Sequence, residues 1–146
     1  MNKLKLLTFL FASLLMLTLV SCSKDDDADL SKMDLLTGGE WTGHQFWTSG
    51  MNVTDQLVEF GYKVAKSKAN FSKDGSYTMK YDGDLVQSGN WEFGSGEQTI
   101  ILDEGTEDET IFTINKLTSS ELYMDGEVSI DSEGYMSLEG EIRLKR

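Results

Sequence analysis

Cys22 is the single cysteine and His44 the single histidine of a 146-residue chain, which limits the available chemistry before any fold is considered. One imidazole leaves no second histidine for a His-based metal site and only one candidate general base of that type. A strand residue in a surface or satisfied position is the plainer reading of His44. Carboxylates are abundant, and Asp103-Glu104-Gly105-Thr106-Glu107-Asp108-Glu109 could offer oxygen ligands to calcium, but the spacing does not match an EF-hand loop. A highly charged hairpin tip is the preferred reading of that run, with weak calcium binding as the lesser alternative, because carboxylates in turns are solvated by default. A glycosidase pair would need two carboxylates facing each other across a cleft. No Gly-rich phosphate loop, Ser elbow or repeated zinc spacing occurs. The expectation is a protein that is not an enzyme and carries no cofactor and no metal.

The position of Cys22 is more informative than its thiol. Met1 to Lys5 holds two lysines and no acid, and Leu6 to Val20 runs without charge, proline or glycine. These are the n-region and h-region of a secretory signal, too short to span a bilayer comfortably. Leu19-Val20-Ser21-Cys22 resembles the lipobox of bacterial lipoproteins. That resemblance implies cleavage after residue 21, diacylglycerol on the Cys22 thiol and a further acyl chain, of the palmitate kind, on the new amine. Two or more acyl chains hold a protein on a membrane without a transmembrane segment. An ordinary signal peptide with a chance cysteine is the alternative. Ser23-Lys24-Asp25-Asp26-Asp27 resembles the lysine-plus-acid tetrad behind the lipidated cysteine of surface-exported lipoproteins of Bacteroidota-type bacteria, and the composition also suits a solvated acidic tether. The expected location is the cell envelope, on the outer membrane with the domain facing outward.

Residues 1–21 contain two lysines and no acid, so residues 22–146 keep 11 basic and 25 acidic side chains, a formal charge of −14. Such a surface excludes nucleic acid as a partner, since phosphates require a basic face, and it disfavours docking on anionic lipid. Membrane attachment therefore rests on the acyl chains. With Cys22 given to lipid, the folded part has no disulfide, and its stability must come from packing. About 125 residues suit one domain with one core. The division is a cleaved signal at 1–21, an acidic lipidated tether at 22–34 and a folded domain at 35–146.

Proline is absent, and short alternating segments are separated by turn residues, as in all-β proteins. Strands are expected near residues 40–48, 67–72, 76–81, 86–93, 98–102, 110–117, 121–130 and 135–145. Short polar turns such as Lys73-Asp74-Gly75 and Asp82-Gly83-Asp84 make consecutive strands antiparallel neighbours. Leu122, Met124, Val128 and Ile130 share one face, and Met136, Leu138, Ile142 and Leu144 share one in the next strand. Eight such strands relieve their edges best by closing into an up-and-down barrel, with a flat sheet or sandwich as the competitor. The long segment 50–66 could hold a helix capped by Thr54 or Asp55, with Leu57, Val58 and Tyr62 on one side. It is either a lid over one barrel mouth or a packed loop.

Leu35-Leu36-Thr37-Gly38-Gly39-Glu40-Trp41 resembles the start of the lipocalin-like domains of bacterial lipoproteins, where a short helical turn leads into a Gly-x-Trp strand. Phe71-Ser72-Lys73-Asp74-Gly75-Ser76-Tyr77-Thr78 and Gly89-Asn90-Trp91-Glu92-Phe93 are similar to further strands of that family. The resemblance spans residues 35–145 and implies an eight-stranded barrel. It also implies that Gly39 and Trp41 open the first strand and that a basic residue of the last strand, Arg143, packs over Trp41. A barrel of this size is either just filled by side chains or holds one small ligand. The candidate lining is Trp47, Tyr77, Met79, Tyr81, Trp91 and Phe93, which suits a small hydrophobic or amphipathic ligand. The competing reading has these residues plug the barrel, leaving an interaction protein that docks a protein partner. Interior volume discriminates the two.

Overall fold

The computed structural model describes residues 29–130 and 136–146. The expected signal and tether with Cys22, at residues 1–28, and the expected turn with Tyr135, at residues 131–135, lie outside the described residues. Among the described residues two short α-helices, α1 (Lys32–Thr37) and α2 (Thr54–Glu59), accompany nine strands. The strands are β1 (Trp41–Thr48), β2 (Met51–Asn52), β3 (Ser67–Phe71), β4 (Ser76–Tyr81), β5 (Asp84–Phe93), β6 (Thr99–Leu102), β7 (Thr110–Leu117), β8 (Glu121–Ser129) and β9 (Ser137–Lys145). From β3 onward each strand pairs antiparallel with the next, and β1 pairs with both β3 and β9. The result is a closed eight-stranded antiparallel barrel with β2 as a two-residue flap on β1. Closure removes the sheet edges that an open meander would leave.

The strand alternation has the expected physical cause, one wall of each strand facing a shared core. Leu122, Met124 and Ile130 are buried on β8 and just beyond it, and Ile142 and Leu144 are buried on β9. Leu138 and Val128 pair across the two strands and pack at the edge of that core. Met136 was expected in the same set and is instead exposed, because it precedes β9 at the barrel end.

The two ends of the barrel are closed differently. At the end where the chain enters, Ser31 caps α1 by accepting from the Asp34 amide at 3.1 Å, and Leu35 and Leu36 are buried. Trp41 is fully buried and its Nε1 donates to the Leu36 carbonyl at 2.9 Å, tying α1 across this opening. At the opposite end the β1–β3 connection closes the mouth with Leu57, Tyr62 and Val64, all part of the core. The 3-10 turn Val64–Lys66 comes so close to β1 that a Cβ on Gly43 would lie 2.0 Å from the Val64 carbonyl oxygen. Only glycine permits that approach. The helix expected in this segment is present, with one correction. Val58 is 46 % exposed while Leu57 is buried, because α2 lasts six residues and ends near Gly61, whose φ is +85°. The expected Thr54 or Asp55 cap is also replaced: the side chain of Asn52 accepts from the Thr54 amide at 3.0 Å.

Candidate functional site

The barrel interior is occupied by side chains. Trp41, Phe46, Phe71, Tyr77, Ile100, Leu102 and Leu122 are each at most 1 % exposed and belong to one continuous core. Side chains buried this fully on facing strands pack against one another across the interior. Two depressions lie on the outside. One, of about 240 Å³, lies beside α1 between Leu30, Leu35 and Arg146. The other, of about 360 Å³, lies between Trp47, the β1–β2 turn, Asp125 and Glu139.

Five of the six candidate lining residues point inward and act as core. Tyr77 and Trp91 are buried, and Met79, Tyr81 and Phe93 are partly buried against the same core. Trp91 meets Phe71 edge-on at 5.6 Å between ring centroids and Phe93 at 5.1 Å, and its Nε1 donates to the Ser72 carbonyl at 2.9 Å. Tyr81 stacks on Tyr62 at 5.1 Å, and its hydroxyl accepts from the Lys63 amide at 2.9 Å, which fastens the closing connection to β4. Burial raises the Tyr62 hydroxyl above its ordinary pKa. Tyr77 donates to Asp103 Oδ2 at 2.6 Å, and desolvation, reinforced by that carboxylate, holds the phenol well above its usual range. Asp103 also accepts from the Asn90 amide at 2.9 Å, and its carboxylate fills the space over Gly89, where a Cβ would lie 2.0 Å from Oδ1. These polar groups satisfy one another, so they serve structure.

Trp47 departs from the expected lining. A bulge between Gly43 and Gln45 inserts His44 and reverses the parity of β1, so Trp47 pairs with outward-facing Glu141. Its ring lies on the outer face under the Arg143 guanidinium, 4.3 Å from the ring centroid, and Tyr123 flanks the same guanidinium at 4.7 Å. Arg143 is held there by Glu141 at 2.6 Å. The cation over Trp41 is therefore not Arg143. It is Arg146, at 3.8 Å from the ring centroid, which also donates to the Leu35 carbonyl. Arg143 sits on the outward parity of β9, whereas Arg146 follows the strand and folds back over the closed end. His44 is exposed at the bulge. Among the described residues no group of three or more His, Cys, Asp or Glu side chains is gathered as a metal site, and no helix is long and apolar enough to cross a membrane.

The outer surface carries its apolar residues unevenly. Met51, Val58, Phe60, Leu85 and Val86 are 46–70 % exposed, and all lie at the barrel end opposite α1. Exposed Ile111 and Met136 begin β7 and precede β9 at that same end. The β4–β5 hairpin projects there beyond its neighbour: residues 84–89 of β5 pair with β4 on one side, but β6 pairs only with Trp91–Phe93, so no described strand lies along their other side. The acidic run 103–109 turns at the base of this free edge. Its Glu104 stands close enough to Glu92 of β5 for the neighbouring carboxyl to raise its pKa. Val86 is the expected start of an ordinary strand, whereas β5 begins at Asp84 and takes in Leu85 as well; the length mismatch between the expected strands at 86–93 and 98–102 is the readable signal of their exposure.

Together these features describe a small, closed antiparallel barrel with a plugged interior and an apolar, acidic rim at one end. No protein-family model matches the chain, and no curated protein matches it.

Proposed function

We propose that the protein is a lipid-anchored lipoprotein of the cell envelope whose lipocalin-like barrel is an interaction module that docks a protein partner through its outer surface. It is not an enzyme. The lipobox-like run ending at Cys22 supports anchoring on the outer membrane, with the acidic tether leading into α1 and the domain facing outward. The observation that carries the interaction reading over a hydrophobic-ligand carrier is the occupied interior, in which the candidate lining residues are buried against one another. A carrier of small apolar molecules needs a preformed cavity of a few hundred Å³ inside the fold, roughly 300 Å³ or more.

The test is native mass spectrometry of the protein extracted from its own membranes in mild detergent. The expected mass is that of the acylated chain, alone or with a second polypeptide. Labelling with palmitate should be lost in Cys22→Ser. A stoichiometric small apolar molecule released on denaturation would overturn the reading in favour of a carrier.

A further inference from the structure

We propose that the free edge of β5 at residues 84–89 is the docking site, and that its partner is an extended, lysine- or arginine-bearing segment of another protein that adds a strand to the barrel wall. This deepens the interaction reading above and rests on it. An unpaired strand edge offers backbone donors and acceptors that a partner strand can take up, with neighbouring pockets and charges choosing the sequence. The direction of those groups follows from the adjacent residues. The Asn90 amide donates to Asp103 and the Asn90 carbonyl accepts from the Asp103 amide at 2.8 Å, both on the β6 side of β5. In an antiparallel strand the residue two places earlier presents its amide and carbonyl to the same side, so Ser88 faces the open edge.

Charge complementarity selects a basic occupant. Exposed carboxylates flank the edge along the chain: Asp84 on the hairpin, Glu92 on β5, and Glu104, Glu107 and Asp108 in the turn after β6. Of the nearby cations, Lys66 is engaged by Asp82, and Lys80 projects from the neighbouring strand. Glu104 stands beside Glu92, which raises its pKa, and an incoming cation favours its charged form. Leu85 and Val86, 60 % and 51 % exposed, give the alternate side chains of the segment an apolar contact. A second copy of this chain would bring the same acids to the same edge, on a domain of formal charge −14 over residues 22–146, and like charges across an interface oppose pairing. The site also lies at the barrel end opposite α1, away from the tether and thus reachable by a partner beyond the membrane surface.

The test uses residues 22–146 with Cys22→Ser, a unit whose barrel closes on itself. The probe is a synthetic peptide of about ten alternating lysines and valines, compared with a glutamate–valine peptide and a helix-forming lysine–alanine peptide. Titration is followed by amide NMR and hydrogen exchange. The lysine–valine peptide should shift the amides of residues 84–89, newly protect the outward-facing Ser88 amide, bind less tightly as salt rises, and outcompete both controls. Ser88→Pro, which removes an edge donor, should weaken it by about tenfold or more, while Ser88→Ala leaves it unchanged. If Ser88→Pro does not fold, the double reversal Glu104→Lys with Glu107→Lys should produce the same loss without touching the backbone. Equal binding of the helical peptide, or indifference to these variants, overturns the proposal. Protection of the Ser88 amide that appears without peptide, in step with dimer formation, also overturns it by making a second copy the occupant. Loss of the edge proposal with no ligand in the interior leaves the interaction module intact on another face, whereas an apolar ligand inside the barrel defeats the module itself.

Discussion

Replacing Trp91 with alanine separates a plugged barrel from a lined cavity. Trp91 is 5 % exposed, sits edge-on between Phe71 and Phe93, and donates from Nε1 to the Ser72 carbonyl. Removing a buried aromatic costs the transfer of its surface plus the void left behind, about 3–5 kcal/mol. Both edge-to-face contacts and the indole hydrogen bond are lost together, which places this site near the middle of that range, at about 4 kcal/mol. Against a domain stability of about 5–15 kcal/mol this is a large fraction. At a urea m-value of about 2 kcal/mol/M it lowers the midpoint by about 2 M. The assay is urea unfolding of Trp91→Ala against the parent, followed by the fluorescence of Trp41 and Trp47, with m unchanged. A side chain lining an open cavity already has solvent or ligand on one side, so its truncation creates little new void. A loss below about 1.5 kcal/mol would refute the packed-core reasoning.

Four further outcomes follow from the same contacts. Asp103→Ala leaves the Tyr77 hydroxyl and the Asn90 amide without their acceptor and should cost about 2 kcal/mol in urea unfolding, with Asp103→Asn costing less. Gly43→Ala forces the Val64 carbonyl away from β1 and should cost about 1–3 kcal/mol, read as a lower thermal midpoint. Arg146→Ala uncovers Trp41 and frees the Leu35 carbonyl, so Trp41 emission should shift to the red, while Arg143→Ala should leave Trp41 unmoved and change Trp47. Lys73 and Ser31 hold the Asp34 carboxyl down at about 2. Because the folded pKa is depressed, its contribution is present above the unfolded value of about 4 and is lost as pH falls toward 2. The urea midpoint should therefore drop less steeply between those pH values in Asp34→Asn than in the parent.

Most of the barrel was legible because alternation at period two is written directly into strands with one buried wall. β4 and β7 begin and end at the residues the sequence suggested, and the Gly-rich turns marked where neighbours reverse. The two-residue β2 was not legible, since Met51 and Asn52 have no periodicity to show. Trp47 was misplaced for a definite reason. It lies six positions after Trp41, an even offset, so an unbroken strand would put both indoles inside; the bulge at His44 turns one outward. Gly43 was the available hint, because glycine inside a strand marks a bulge or a close backbone approach, and here it marks both. The choice of Arg143 failed by the same parity, as it alternates with inward-facing Ile142 and Leu144. The filling of the interior was beyond the sequence, since identical aromatics can line a cavity or occupy it.

The most direct test of the central claim watches the interior itself. Methyl resonances of Leu102, Leu122 and Ile142, all at most 7 % exposed, are followed while the domain is titrated with fatty acids, sterols and small aromatic compounds. The expected result is no saturable shift at any of these methyls, with any perturbation confined to the exposed rim. Saturable shifts at the three core methyls, with one molecule bound per chain, would contradict the plugged barrel and return the protein to the class of hydrophobic-ligand carriers.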